Sequence, residues 1–157
     1  MKTVHSMVAA LGLAFLLPAS VDAAQGDPEV IIYRFPGVQD DGGNPSIGIA
    51  TVFHCTNFSG ETETLRFVVR TVNGTILANL PYTLPHLVTQ TLGTHTVAAY
   101  PAMAGLGTGP VNSGTVAIAA TSTNIVCAAM TIDAGNPKPT GIAMHGIRFN
   151  PVTGSQE

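Results

Sequence analysis

From residue 47 onward, apolar and polar positions alternate with a period near two, and no stretch of useful length repeats at the helical period. Ile47, Ile49, Phe53 and Cys55 fall on one side of an extended segment, with Gly48, Ala50, Val52 and His54 on the other. Leu65, Phe67 and Val69 alternate with Arg66, Val68 and Arg70, which predicts a strand with one buried face. Asn73-Gly74 lies between FVVRTV and TILANL and predicts a hairpin whose two turn residues both take positive φ. Pro81 and Pro85 bracket a turn or edge ahead of a strand over 87–92. A long Gly- and Pro-containing connection over 99–113 follows. Strands over 115–121 and 125–133 are joined by Ser122-Thr123-Asn124. The turn Gly135-Asn136-Pro137-Lys138-Pro139 then leads to a last strand over 141–149. Upstream, residues 25–48 contain Pro28, Pro36, Pro45 and the run Asp40-Asp41-Gly42-Gly43-Asn44. They predict an extended arm and loop, with Val30-Ile31-Ile32-Tyr33 as a possible first strand.

Seven or eight short strands at regular spacing predict an all-β fold, a single Ig-like antiparallel β-sandwich. Residues 1–23 carry the three parts of a secretory signal peptide: a basic start at Lys2 and His5, an apolar run over 7–17, and Val21-Asp22-Ala23 as a cleavage pattern. That run is too short to anchor the chain in a bilayer, and no second long apolar stretch follows. The expected organisation is a signal peptide over 1–23, an N-terminal arm over 24–46, the sandwich over 47–151 and a flexible tail over 152–157. The expected location is secreted or periplasmic, with no membrane span after signal cleavage.

Composition narrows the function classes. The chain has 157 residues, of which 10% are charged, with a net charge of −3. A nucleic-acid binder needs a basic patch or stripe, and a polybasic membrane-surface protein needs a run of lysine and arginine; neither occurs. Cys55 and Cys127 are the two cysteines, and export places them where disulfides persist. One even pair most simply forms one bridge, the alternative being two free, buried thiols. Their places in an early and a late strand suit a bridge across the two sheets. The Trp of antibody domains is absent, and Ile125 stands where those domains carry a Tyr two residues before the second cysteine.

Three stretches, IATVFHCTNFSGETETLRFVVRTVNGT, YTLPHLVTQTL and SGTVAIAATSTNIVCAAMTIDA, together with the ending GIAMHGIRFNP, carry a resemblance. Over residues 47–151 the chain resembles a loosely defined group of uncharacterised bacterial secreted β-sandwich modules, Ig-like or fibronectin-like. The resemblance implies fold and compartment; no activity or catalytic residue is attached to the group.

Candidate chemistry is sparse. No G-x-S-x-G occurs, and Ser59 and Ser113 lie in turn segments, so a hydrolase is the least favoured reading. Glycosidase chemistry needs two carboxylates on a rigid frame. Asp133 stands far from the other acids in the sequence, while Glu61 and Glu63 read as solubilising a strand end. Gly105-Leu106-Gly107-Thr108-Gly109 lacks the following helix that a phosphate-cradling loop requires. Asn57-Phe58-Ser59 and Asn73-Gly74-Thr75 match the glycan acceptor pattern and read as turns. His54, His86, His95 and His145, with Met103, Met130 and Met144, are residue types that bind copper or zinc. His54 and His145 are the candidate metal pair, on strands that could be neighbours; no cofactor is implied. Strands 115–121 and 125–132 carry small or apolar residues on both faces. They are central and covered, or they dock against a protein partner or a second copy, with Ala117, Ala119, Ala128 and Met130 as candidate contacts. The reading is an exported, non-catalytic binding, structural or assembly module, with metal binding as the alternative.

Overall fold

The computed structural model describes residues 28–43 and 46–149. The expected signal peptide and the expected tail over 152–157 lie outside the described residues. The described residues form ten strands: β1 (Val30–Asp40), β2 (Ile49–Asn57), β3 (Glu63–Arg70), β4 (Ile76–Leu84), β5 (Thr89–Gly93), β6 (Ala104–Gly105), β7 (Val111–Ala120), β8 (Ile125–Asp133), β9 (Ile142–Ala143) and β10 (Ile147–Arg148). They make two five-stranded sheets, ordered β10-β1-β7-β3-β4 and β6-β5-β2-β8-β9. All described pairings are antiparallel except β5 with β6. Among the described residues there is no helix, and none long and apolar enough to cross a membrane.

Alternation decides which side chains meet between the sheets. Phe35 from β1, Leu65, Phe67 and Val69 from β3, and Val116 and Ile118 from β7 face Phe53 and Cys55 from β2, Leu92 from β5, and Ile125 and Ala129 from β8. Tyr33, Phe35, Phe53, Phe67 and Tyr82 form a continuous aromatic row through this core, with successive ring centroids 5.6 to 6.1 Å apart. That spacing lies within the range aromatic pairs prefer.

The structure corrects several expectations. Residues 30–40 are not part of an arm. They form the longest strand, held between β7 and β10, because Ile32, Phe35 and Val38 reach the core. Register shifts around Ile32, Gly37 and Gln39 absorb the irregular segment that Pro36 and Gly37 suggested. The hairpin at Asn73-Gly74 exists, but Gly74 is the only one of the two with positive φ (83°). Gly74 N–H donates to the Thr71 carbonyl, and a bulge at Arg70 completes a longer loop than a two-residue turn. Glu63 does not solubilise a strand end. It shares the parity of Leu65 and Phe67, is wholly buried, and accepts a hydrogen bond from the Thr121 hydroxyl, while its Oε1 has no partner. The expected last strand is broken in two: β9 pairs with β8 in one sheet, and β10 pairs with β1 in the other. Gly146 sits at the crossing, where a Cβ would lie 2.2 Å from the Phe35 ring.

Cys55 and Cys127 are bonded, but not across the sheets. They are direct partners on neighbouring strands β2 and β8, with Cα atoms 4.2 Å apart. The link therefore reinforces one sheet, and sheet-to-sheet cohesion rests on side-chain packing and on the polar contacts described below. A Cys55→Ala, Cys127→Ala chain is expected to keep its fold and lose about 2–4 kcal/mol, the range for a bridge closing a long loop. The urea midpoint, read with an unchanged far-ultraviolet spectrum, checks this; a fully unfolded double variant would contradict it.

Candidate functional site

At one end of the sandwich the two sheets are stitched by polar groups. Thr51 on β2 points toward β1 and is wholly buried. Its hydroxyl accepts the Gln39 N–H and donates to the Gln39 carbonyl, both at 2.9 Å. Its own N–H donates to Thr94 Oγ1 at 3.1 Å, and Thr94 N–H donates back to the Thr51 carbonyl at 2.9 Å. One residue thus ties β1, β2 and the segment after β5. Beside it, His95 Nδ1 donates to Asp40 Oδ2 at 2.8 Å, and the Gly42 N–H donates to Asp40 Oδ1 at 2.7 Å. Asp40 is buried, and His95 Nε2 is buried without a partner.

The loop between β1 and β2 is built on the next carboxylate. Asp41 accepts the Gly43 and Ile49 N–H groups, at 3.1 and 3.0 Å, and these bonds hold it below the usual carboxylate range. A Cβ on Gly48 would lie 2.0 Å from that carboxylate, and φ there is 81°, so only glycine fits. Left-handed backbone is concentrated at this end: Gly37, Gly42, Ser46, Gly48, Gly107, Gly109 and Ser113 all take positive φ. Of these only Ser46 and Ser113 lack glycine's freedom, and they hold that conformation because the surroundings fix it.

Two clefts open there. One, about 480 Å³, is lined by Gln39, Asp40, Asp41, Ile49, Pro110, Val111 and Asn112. The other, about 520 Å³, is lined by Gln39, Gly48, Ile49, Thr131, Ile132, Asp133, Thr140 and Ile142. They meet at Gln39 and Ile49. Ile49 is 43% exposed and Ile142 75% exposed, so both clefts offer apolar surface beside carboxylates.

The residues expected from the sequence are placed elsewhere. His54 and His145 do not lie on neighbouring strands: β8 stands between β2 and β9, and His145 follows β9 in the crossing segment. His54 Nδ1 shares a hydrogen bond with Thr91 Oγ1 at 3.0 Å, and its ring meets Tyr100 edge-on at 4.8 Å. Among the described residues no three His, Cys, Asp or Glu side chains gather at metal-ligand spacing. The four candidate contacts separate. Ala117 and Ala119 lie on the outer face of one sheet, beside Arg34 and Arg66, because β7 sends Val116 and Ile118 inward. Ala128 and Met130 lie on the outer face of the other sheet. They form two opposite patches, not one. Part of that second face is covered by the chain itself: Val97 and Met103 pack on Ala50, Val52, Ile132 and Ala134.

The sequence assigns Thr51, Ile49 and Ile142 no functional role, marks His95 only as a residue type that binds metal, and marks Asp40 and Asp41 only as part of a turn run. The one signal that pointed there was the density of Asp and Gly over 40–43, which marks tight backbone.

Burial holds the His54 pKa below the ordinary histidine value. The unfolded chain therefore takes up this proton first, and stability falls as pH drops from about 6.5 toward the lower folded value. His54→Gln is expected to flatten the decline of the urea midpoint between about pH 7.5 and 5. An unchanged slope in the variant contradicts this.

Comparison of the chain with protein-family profiles, curated proteins and solved structures finds no match in any of the three.

Proposed function

We propose that this chain is an exported, non-catalytic β-sandwich module, Ig-like in architecture, that works by binding or assembly through the paired clefts at its Thr51 end. The observation that carries this reading is the meeting of the two clefts at Ile49, on a backbone fixed by Asp41, Thr51 and the Asp40–His95 pair. A preformed surface loses little ordering entropy when it binds. Apolar side chains left exposed on fixed loops are the kind of surface that a partner covers. The disulfide-bonded pair supports an oxidising compartment, in keeping with the signal-like start of the sequence. The resemblance to secreted bacterial modules points the same way.

A photo-crosslinking residue placed at Asn112 or Thr140, in the organism that makes the protein, is expected to give adducts of discrete mass. The same residue at Glu61, exposed at the far end of the sandwich beyond β2, serves as the control. Adducts at Glu61 with none at either cleft position would overturn the reading.

A further inference from the structure

The clefts have a counterpart on the same molecule. Edge strand β10 carries Ile147, 59% exposed and directly opposite Arg34 on β1, and Arg148 follows it, opposite Tyr33. Neighbouring positions on a strand point to opposite faces, so the short edge presents Ile147 beside Arg34 on one face and Arg148 on the other. Both guanidinium groups rest on aromatic rings: Arg34 lies 5.6 Å from the Phe149 centroid and Arg148 5.7 Å from that of Tyr33. Arg148 also donates to the Thr123 carbonyl at 2.9 Å. These contacts position the two charges without neutralising them. Among the described residues neither arginine makes an ion pair.

At the clefts the signs are reversed. The Ile49 N–H donates to the Asp41 carboxylate, and Ile49 pairs with Asp133 across β2 and β8. Exposed Ile142 lines the same cleft as Asp133, and among the described residues no Lys, Arg or His lines either cleft. An edge strand that carries an isoleucine with a cation on each face thus matches clefts that carry isoleucines beside carboxylates.

We propose that the acidic clefts receive the basic β10 edge of a second copy of this chain, with Ile147 against Ile49 and Ile142, and Arg34 and Arg148 facing Asp41 and Asp133. This rests on reading the clefts as a contact surface. It commits to self-association because the complementary patch is on the chain itself. Ile142 belongs to β9 and Ile147 to β10, so both patches lie on the side of the sandwich that the chain crosses between those strands. Two copies related by a twofold axis then each offer an edge and receive one, which closes the assembly as a dimer. Exposed ion pairs set register and orientation more than affinity, so the apolar contact carries most of the association. Covering β10 also removes an open strand edge from solvent.

Sedimentation equilibrium of the exported chain, disulfide intact, tests the proposal. The expected result is a dimer that weakens as salt is raised. Arg148→Glu in one variant, and Asp133→Lys in another, should each associate at least about tenfold more weakly, because like charges then face each other at the Arg148–Asp133 pair while Arg34 still faces Asp41. An equimolar mixture of the two variants should recover a heterodimer, since both of its contacts pair opposite charges. A monomeric wild-type chain overturns the proposal. So does a dimer indifferent to both variants, or a mixture that stays monomeric. If a charge-reversed variant does not fold, Ile147→Asp at an exposed position must still abolish the dimer, and a dimer that survives it overturns the proposal. A monomeric chain that gives cleft adducts with a different protein overturns self-association alone. Absence of adducts at both cleft positions overturns the reading beneath it.

Discussion

The Thr51 hydroxyl is the contact on which the candidate site depends. A sandwich core is held by apolar packing, which fixes how far apart the sheets lie but has little directional force. At the end of the core, where β1 meets β2, the hydroxyl supplies direction by bonding both backbone groups of Gln39. That places Gln39 and Ile49 side by side, and these are the two residues shared by the clefts. A buried hydroxyl is tolerated because its proton is donated and its oxygen accepts a bond in return. Asp40 and His95 continue the same stitching one residue along. Without it, the loop from Asp41 to Gly48 would have no fixed base.

The fold class was legible because a two-residue period is hard to produce by any other structure, and β3 follows it cleanly. β1 was hidden by Pro36 and Gly37, which read as loop chemistry although the strand accommodates them as irregularities. The division of the last strand was hidden for a different reason. Both halves are extended, and nothing local says that Ile142 pairs with β8 while Ile147 pairs with β1. Partner choice is a long-range property, set by which edge is free.

The same limit explains the candidate residues. The sequence marks Ala117, Ala119, Ala128 and Met130 as small or apolar candidate contacts. It cannot say that β7 and β8, joined by a short turn, belong to different sheets and so point these residues in opposite directions. Nor does it show that residues 97–103 fold back over β2 and β8 and bury Val52 and Ile132 on what would otherwise be an open face. The cysteines show the converse: their pairing follows from their number, but its place within one sheet follows only from register. The site itself is assembled from segments about forty to seventy positions apart, with Thr51 meeting Thr94 and Asp40 meeting His95 and Val111. Its clearest local trace was the Asp-Asp-Gly-Gly run.

The central claim is that this end of the sandwich is preformed, not a set of loops that order on binding. Amide hydrogen exchange, followed residue by residue in the oxidised chain, tests it most directly. The account predicts that the Gln39, Thr51 and Thr94 amides exchange as slowly as those of Phe53 and Val69 in the core strands, and that Thr51→Val releases Gln39 while leaving Val69 protected. Exchange of Gln39, Thr51 and Thr94 in the unsubstituted chain at the rate of the exposed hairpin turn over 72–74 would contradict it.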